Sequence, residues 1–286
     1  MSIYVWTSEI KNIYVWTTPV KEVYVGTTKI RPTTPPYLCF TANTAGSTVQ
    51  LTKTWSPTSV TLETSTDGIN WTSYYPNWTR TLSNIWDKVY FRNTSETTTG
   101  FSTNTSNYYK FVMTWSIAAS WDTTSLINKN LTDTLSWGYC FLLLFHNCTS
   151  LTSAPELPAT TITNNCYYSM FNWCTNLTTA PKLPATTLVQ YCYSSMFSDC
   201  SNLEILPKLP ATTLKNYCYS NMFKWCSKIK LNTTQTWEYQ TPYRIPTTWT
   251  GATATGALGN MFRATWWTFT SDPTINTTYY TSNTLI

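Results

Sequence analysis

The chain has 286 residues, a net charge of +5, only 11% charged residues, and 8 glycines against 15 tryptophans. Its length suits two or three modules with a sizeable core. No Lys/Arg cluster suggests a nucleic-acid partner. One histidine and 13 scattered carboxylates supply no acid–base pair, triad or phosphate loop, so the expectation is a non-enzymatic protein with no cofactor and no metal site.

The chain opens with three ten-residue units, IYVWTSEIKN, IYVWTTPVKE and VYVGTTKIRP, within residues 1–32. Each reads as two very short strands around a turn. A single such unit buries too little to be stable alone, so three in tandem suggest pairing with one another or with other copies, giving attachment or a homo-oligomer. One slot holds Trp6, then Trp16, then Gly26. The N-terminus lacks a basic segment followed by an apolar run, so no signal peptide is read there. CFLLLF is too short to span a bilayer, and no membrane insertion is expected.

Residues 33–112 read as β. PYLCFTA, STVQLTKT, SVTLETS, INWTSYY, DKVYFRN and YYKFVMT alternate or run apolar between turn residues. Six short strands suggest a small β-sandwich, Ig-like in layout but without the Cys–Trp–Cys spacing. Residues 113–139 read as an entry cap.

A 26-residue repeat fills 140–231. Aligned without gaps, the units place Cys140, Cys166, Cys192 and Cys218 in one column and Cys148, Cys174, Cys200 and Cys226 in another. Phe145, Phe171, Phe197 and Phe223 form a third, and Leu151, Leu177, Leu203 and Ile229 a fourth. Leu157, Leu183 and Leu209 form a fifth. Fixed-period apolar columns predict stacked coils around one core. Cys166, Met170 and Cys174 stand at i, i+4 and i+8, which predicts a short helical turn. LTTAPKLP predicts an extended stretch, because proline excludes helix interior. The predicted fold is therefore mainly β with an α/β solenoid, closed by a degenerate repeat and cap over 232–286.

Disulfides, metal ligation and a buried ladder of free thiols are the three readings of the cysteine columns. The period explains the ladder without further chemistry, free cysteine is often buried, and C-x7-C is not a zinc pairing. His146, beside one column, reads as a surface residue, and Cys39 says little.

The motif F-x-x-C-[ST]-x-L followed by LP, over about 136–231 with an echo in GNMFRATWWTF, resembles the leucine-rich repeats of BspA-like surface proteins. The N-terminal units resemble short repeats of phage tail and virion proteins. The BspA-like pattern usually has glycine just before the second cysteine; here the residues are Asn147, Trp173, Asp199 and Trp225.

That column raises a question about tryptophan. Asn, Asp and Gly tolerate positive φ, and Trp does not belong with them. Reading glycine for tryptophan makes the column coherent and gives the N-terminal units one YVGT repeat. It also restores turn chemistry elsewhere. Twelve positions fit: Trp6, Trp16, Trp55, Trp78, Trp86, Trp115, Trp121, Trp173, Trp225, Trp249, Trp266 and Trp267. Exchanging them would bring glycine to about the 7% of an average protein. The expectation is that they are UGA codons which the source reads as glycine. The alternative is true tryptophan, serving as aromatic binding platforms on turns. Trp71 reads as a strand residue, and Trp137 and Trp237 are ambiguous.

The resemblances imply adhesion or recognition. The expected protein is displayed on a virion or tail, is extracellular or virion-associated, and binds a host or neighbour-cell surface protein or glycan. A BspA-like bacterial adhesin and a surface-layer or filament subunit are the alternatives.

Overall fold

The computed structural model describes residues 14–15, 18–19, 23–25, 28–30, 37–57, 59–245, 248–249, 255–267, 272–275 and 277–286. It is mainly β. The only helical element among the described residues is a single 3-10 turn, Thr123–Leu126, capped by Asp122.

Within the N-terminal units, Tyr14–Val15 pairs with Thr18–Pro19 and Val23–Val25 with Thr28–Ile30, both antiparallel. The two hairpins share a register, with Val15 opposite Thr18 and Val25 opposite Thr28. That register leaves two residues between the strands, a loop length that favours glycine at its first position in the type II′ form. Residues 6 and 16 lie outside the described residues.

All six strands expected within 33–112 are present, in the order Cys39–Ala42, Ser47–Lys53, Leu62–Ser65, Thr72–Tyr74, Lys88–Asn93 and Tyr109–Thr114. A seventh, Thr79–Leu82, pairs with Ser47–Lys53. Its sequence, TRTL, has no apolar alternation to announce it. Tyr109–Thr114, Ser47–Lys53 and Thr79–Leu82 form one three-stranded sheet. The other sheet has six strands, and two of them, Ile117–Ser120 and Leu151–Ser153, come from beyond residue 112. This sheet therefore crosses the boundaries expected at 112/113 and 139/140. The two sheets share one core: Phe40 and Phe91 of the larger meet Phe111 of the smaller at 4.7 and 5.4 Å between ring centroids.

The expected helical turn at Cys166–Cys174 is absent. In its place runs a train of tight turns with a left-handed residue at every fourth position. In successive units these are Tyr139, Leu143 and Asn147; Asn165, Ser169 and Trp173; Tyr191, Ser195 and Asp199; Tyr217, Asn221 and Trp225. A fifth set, Gly256, Asn260 and Ala264, shows that GNMF continues the pattern. A period of four still places Cys166, Met170 and Cys174 on one side, all fully buried, so the helical signal and the real backbone share a face.

Hydrogen bonds alternate along each train. Tyr168, Met170, Asn172 and Cys174 N–H groups donate three residues back within the unit. Tyr167, Ser169, Phe171 and Trp173 donate instead to Cys192, Ser194, Met196 and Ser198 of the next unit, at 2.9–3.1 Å. The same inter-unit ladder recurs from Tyr193 to Phe197 and, into the fifth set, from Tyr217 to Trp225. A helix would have kept every N–H for itself. The left-handed corners cost about 1–2 kcal/mol each for a non-glycine residue, and inter-unit bonds of about 0.5–1.5 kcal/mol each offset part of that.

The Phe column is a stack. Phe145, Phe171, Phe197 and Phe223 lie nearly parallel at 5.3–5.7 Å. Phe111 extends it at one end and Phe262 at the other, so a single file of rings joins the sheets, the repeat and the C-terminal segment. Tyr167, Tyr193 and Tyr219 form a second buried stack at 5.7–5.9 Å. Thr284–Leu285 returns to pair with Ile205–Leu206, and Asn283 ties the third and fourth units together by donating to the Glu204 and Lys228 carbonyls.

Candidate functional site

No constellation among the described residues points to catalysis. Among those residues no group of three or more His, Cys, Asp or Glu gathers as a metal site, and no helix is long and apolar enough to cross a membrane. Chemistry in the repeat divides into buried columns and a partly exposed ridge.

The eight repeat cysteines are buried and free, as is Cys39. In the second column each thiol donates to a Phe carbonyl one unit back: Cys174 to Phe145 at 3.0 Å, Cys200 to Phe171 at 3.1 Å, Cys226 to Phe197 at 2.9 Å. Cys148 does the same to Phe111 at 3.1 Å. This contact was invisible in the sequence spacing, yet it gives a reason for Cys rather than Ala in the column. Burial pushes the thiols up, to about 12 at Cys148 and Cys166 and about 11 at Cys218 and Cys39. They are packing groups with a donor, not nucleophiles. Leu151, Leu177 and Leu203 are fully buried beside them.

The ridge follows the residues before the second cysteine. Asn147, Trp173, Asp199 and Trp225 all have φ between 60 and 65°. Beside them Asn172 donates to the Ser198 carbonyl at 2.9 Å. Trp173 and Trp225 are 50% and 51% exposed. Trp55, Trp86, Trp115 and Trp121 are left-handed as well, at φ 45, 73, 60 and 65°. Trp71, Trp137 and Trp237, which were set apart in sequence, are not. Four of the twelve positions behave differently. At PNW the left-handed residue is Asn77, while Trp78 packs on Tyr75 at 4.9 Å. Trp266 lies in a short strand paired with Lys230, and Trp267 pairs with Leu231. Trp249 is likewise in a strand pair, with Leu214. The company of Asn and Asp is not exclusive either, since Tyr139, Tyr191, Tyr217 and Leu143 also take left-handed corners.

Trp71 has a different surrounding. The Arg92 guanidinium lies 3.9 Å from its ring centroid, Tyr37 meets it edge-on at 5.2 Å, and Glu63 pairs with Arg92 at 2.8 Å. None of the six left-handed indoles has a ring or cation contact of this kind among the described residues.

Two titratable groups sit where the sheets meet the repeat. His146 is half-buried, with Nδ1 buried and unpartnered. Burial, with the Lys110 ammonium nearby, holds its imidazole below the usual range. Asp122 caps the 3-10 turn, accepting from the Thr124 N–H and hydroxyl at 2.7 Å each. Burial raises its carboxyl to about 6, against the pull of those bonds and with a small push from Glu156. The two act in opposite directions. A depressed histidine withdraws stability as pH falls below its unfolded value of 6.5. A raised carboxyl withdraws stability as pH climbs from 3.8 to about 6. Just below about pH 6, the upper end of the Asp122 range, the two slopes therefore have opposite signs. His146→Gln leaves a midpoint that falls with rising pH, and Asp122→Asn one that rises, both read by calorimetry just below that pH.

Comparison with protein-family models, with curated proteins and with solved structures finds no match for this chain.

Proposed function

We propose that the chain is a non-enzymatic recognition protein, displayed on a virion or tail, that contacts a host surface protein or glycan through a repeat solenoid over 140–231. The observation that carries this reading is the inter-unit ladder. It holds the partly exposed ridge in fixed register while the interior of the repeat carries only packing groups. Residues 33–112 act in this reading as an Ig-like sandwich spacer, and the N-terminal hairpins as the attachment or oligomerisation segment. The motif F-x-x-C-[ST]-x-L favours a BspA-like cell-surface adhesin as the second reading.

The test is binding of the fluorescently labelled chain to intact cells of the source community and to a glycan array. Saturable binding that drops at least tenfold in an Asn172→Ala, Asp199→Lys, Lys224→Glu variant of unchanged thermal midpoint supports the reading. Equal binding by that variant overturns the ridge as the contact.

We also propose that the left-handed tryptophans are glycine in the native protein, through UGA codons read as glycine. Six left-handed backbones support this. Peptide mass spectrometry of native material across 166–182 and 218–230 decides it. Tryptophan at 173 and 225 overturns it, and makes those indoles the stacking platforms for a glycan.

A further inference from the structure

We propose that this chain folds only with its thiols reduced, and that the completed fold then shields them from oxidants. The inference stands independently of the recognition reading.

Three observations carry it. All nine cysteines are free and buried. Three of them spend their S–H on a neighbouring unit's carbonyl, and Cys148 spends its own on the Phe111 carbonyl of the smaller sheet, at 2.9–3.1 Å. And successive members of the first column lie on adjacent rungs: the Phe141, Tyr167 and Tyr193 N–H groups donate to the carbonyls of Cys166, Cys192 and Cys218 at 2.8, 3.1 and 3.0 Å. Adjacent rungs stand about 5 Å apart, inside the Cα window of about 4.4–6.8 Å that a disulfide accepts.

The first column is thus spaced to cross-link whenever an oxidant reaches it. With oxidised glutathione, two column thiols give one protein disulfide and two reduced glutathiones; both sulfurs lose their hydrogens. In the second column that removes two inter-unit donors at once, leaving buried Phe carbonyls with one partner fewer. In a loose chain any two of nine thiols can join, and most pairings lock the units out of register. Once folded, no thiol is reachable and none is ionised, so the same oxidant has no effect. The fold itself is the protection.

The experiment uses the full chain in two arms. The folded protein is held with oxidised glutathione and its mass is measured; all nine thiols are expected to remain unmodified with an unchanged thermal midpoint. The chain is then made in a cell-free system with dithiothreitol or with oxidised glutathione, and soluble protease-resistant protein is compared. At least a tenfold lower yield under oxidised glutathione is expected. Equal yields in the two conditions, or a disulfide-bearing product with native stability, overturn the proposal. So does rapid modification of the folded protein. Synthesis of the chain needs no refolding from denaturant, so a failure to refold does not blunt the comparison.

Discussion

Trp55→Gly, Trp86→Gly and Trp115→Gly, combined, raise the stability of this protein by about 1–3 kcal/mol, against the usual direction of mutation. At each position the backbone is left-handed, with φ of 45, 73 and 60°. Holding a non-glycine residue there costs about 1–2 kcal/mol. The glycine gives back about 0.5–1 kcal/mol through the unfolded chain. What decides the balance is burial, and these indoles are 86%, 72% and 68% exposed. They have little apolar contact to lose. Trp173 and Trp225 share the backbone but keep about half their surface buried, so at about 25 cal/mol per Å² their burial offsets the relief and Trp→Gly there is close to neutral. Trp71→Gly is the opposing control. It removes the half-buried ring under Arg92 and beside Tyr37 and costs about 1–3 kcal/mol. Chemical denaturation of the triple variant and of Trp71→Gly reads the two signs; a loss of stability in the triple variant would show that those turns need their indoles.

Much of this architecture was legible because its signals are periodic. The 26-residue spacing gave the columns, and every Cys, Phe and Leu assigned to them is buried. Alternation gave six strands of the first region. Three things escaped, each for a physical reason. A four-residue spacing of Cys166, Met170 and Cys174 cannot distinguish a helix from a train of turns, because both repeat close to four residues and bury the same face. The distinguishing feature is φ, and at Tyr191 or Leu143 nothing in the side chain announces a left-handed corner. Thr79–Leu82 escaped because its inward positions are Arg80 and Leu82, so only one apolar residue marks the face and no alternation shows. The boundary at 112/113 follows the end of the alternating stretches and that at 139/140 the start of the repeat, whereas Ile117–Ser120 and Leu151–Ser153 pair into the first sheet through backbone bonds that neither signal records. Of the ridge, the sequence marked Asn147, Trp173, Asp199 and Trp225 as one column just before the second cysteine. It held no sign of the bonds beside them, such as Asn172 to Ser198.

Phe197→Ala is expected to cost about 3–5 kcal/mol, the largest loss of any single change considered, and to be felt at both ends of the chain. The ring sits between Phe171 and Phe223 at 5.7 Å on each side, and it is fully buried. Its removal opens a cavity that neither neighbour can fill, because each is held in register by its own inter-unit bonds: Phe171 donates to Met196 and Phe223 to Met261. Collapse would break the ladder, so the cavity stays. The stack runs unbroken from Phe111 in the first sheets to Phe262 near the C-terminal strands. A break at its middle should therefore separate one cooperative transition into two, with the segment after the third unit melting first. Tyr193→Phe is the informative companion. Tyr193 stacks in the same way on Tyr167 and Tyr219, but its hydroxyl is buried without a partner. Deleting that oxygen keeps the ring and removes a desolvated polar group, which costs about 1–3 kcal/mol when unpaired. The expected result is equal or higher stability and a single transition. Calorimetry of the two variants checks this: one transition in Phe197→Ala would show that the sheets and the repeat are not coupled through the rings, and a loss in Tyr193→Phe would show that its hydroxyl is bonded in solution.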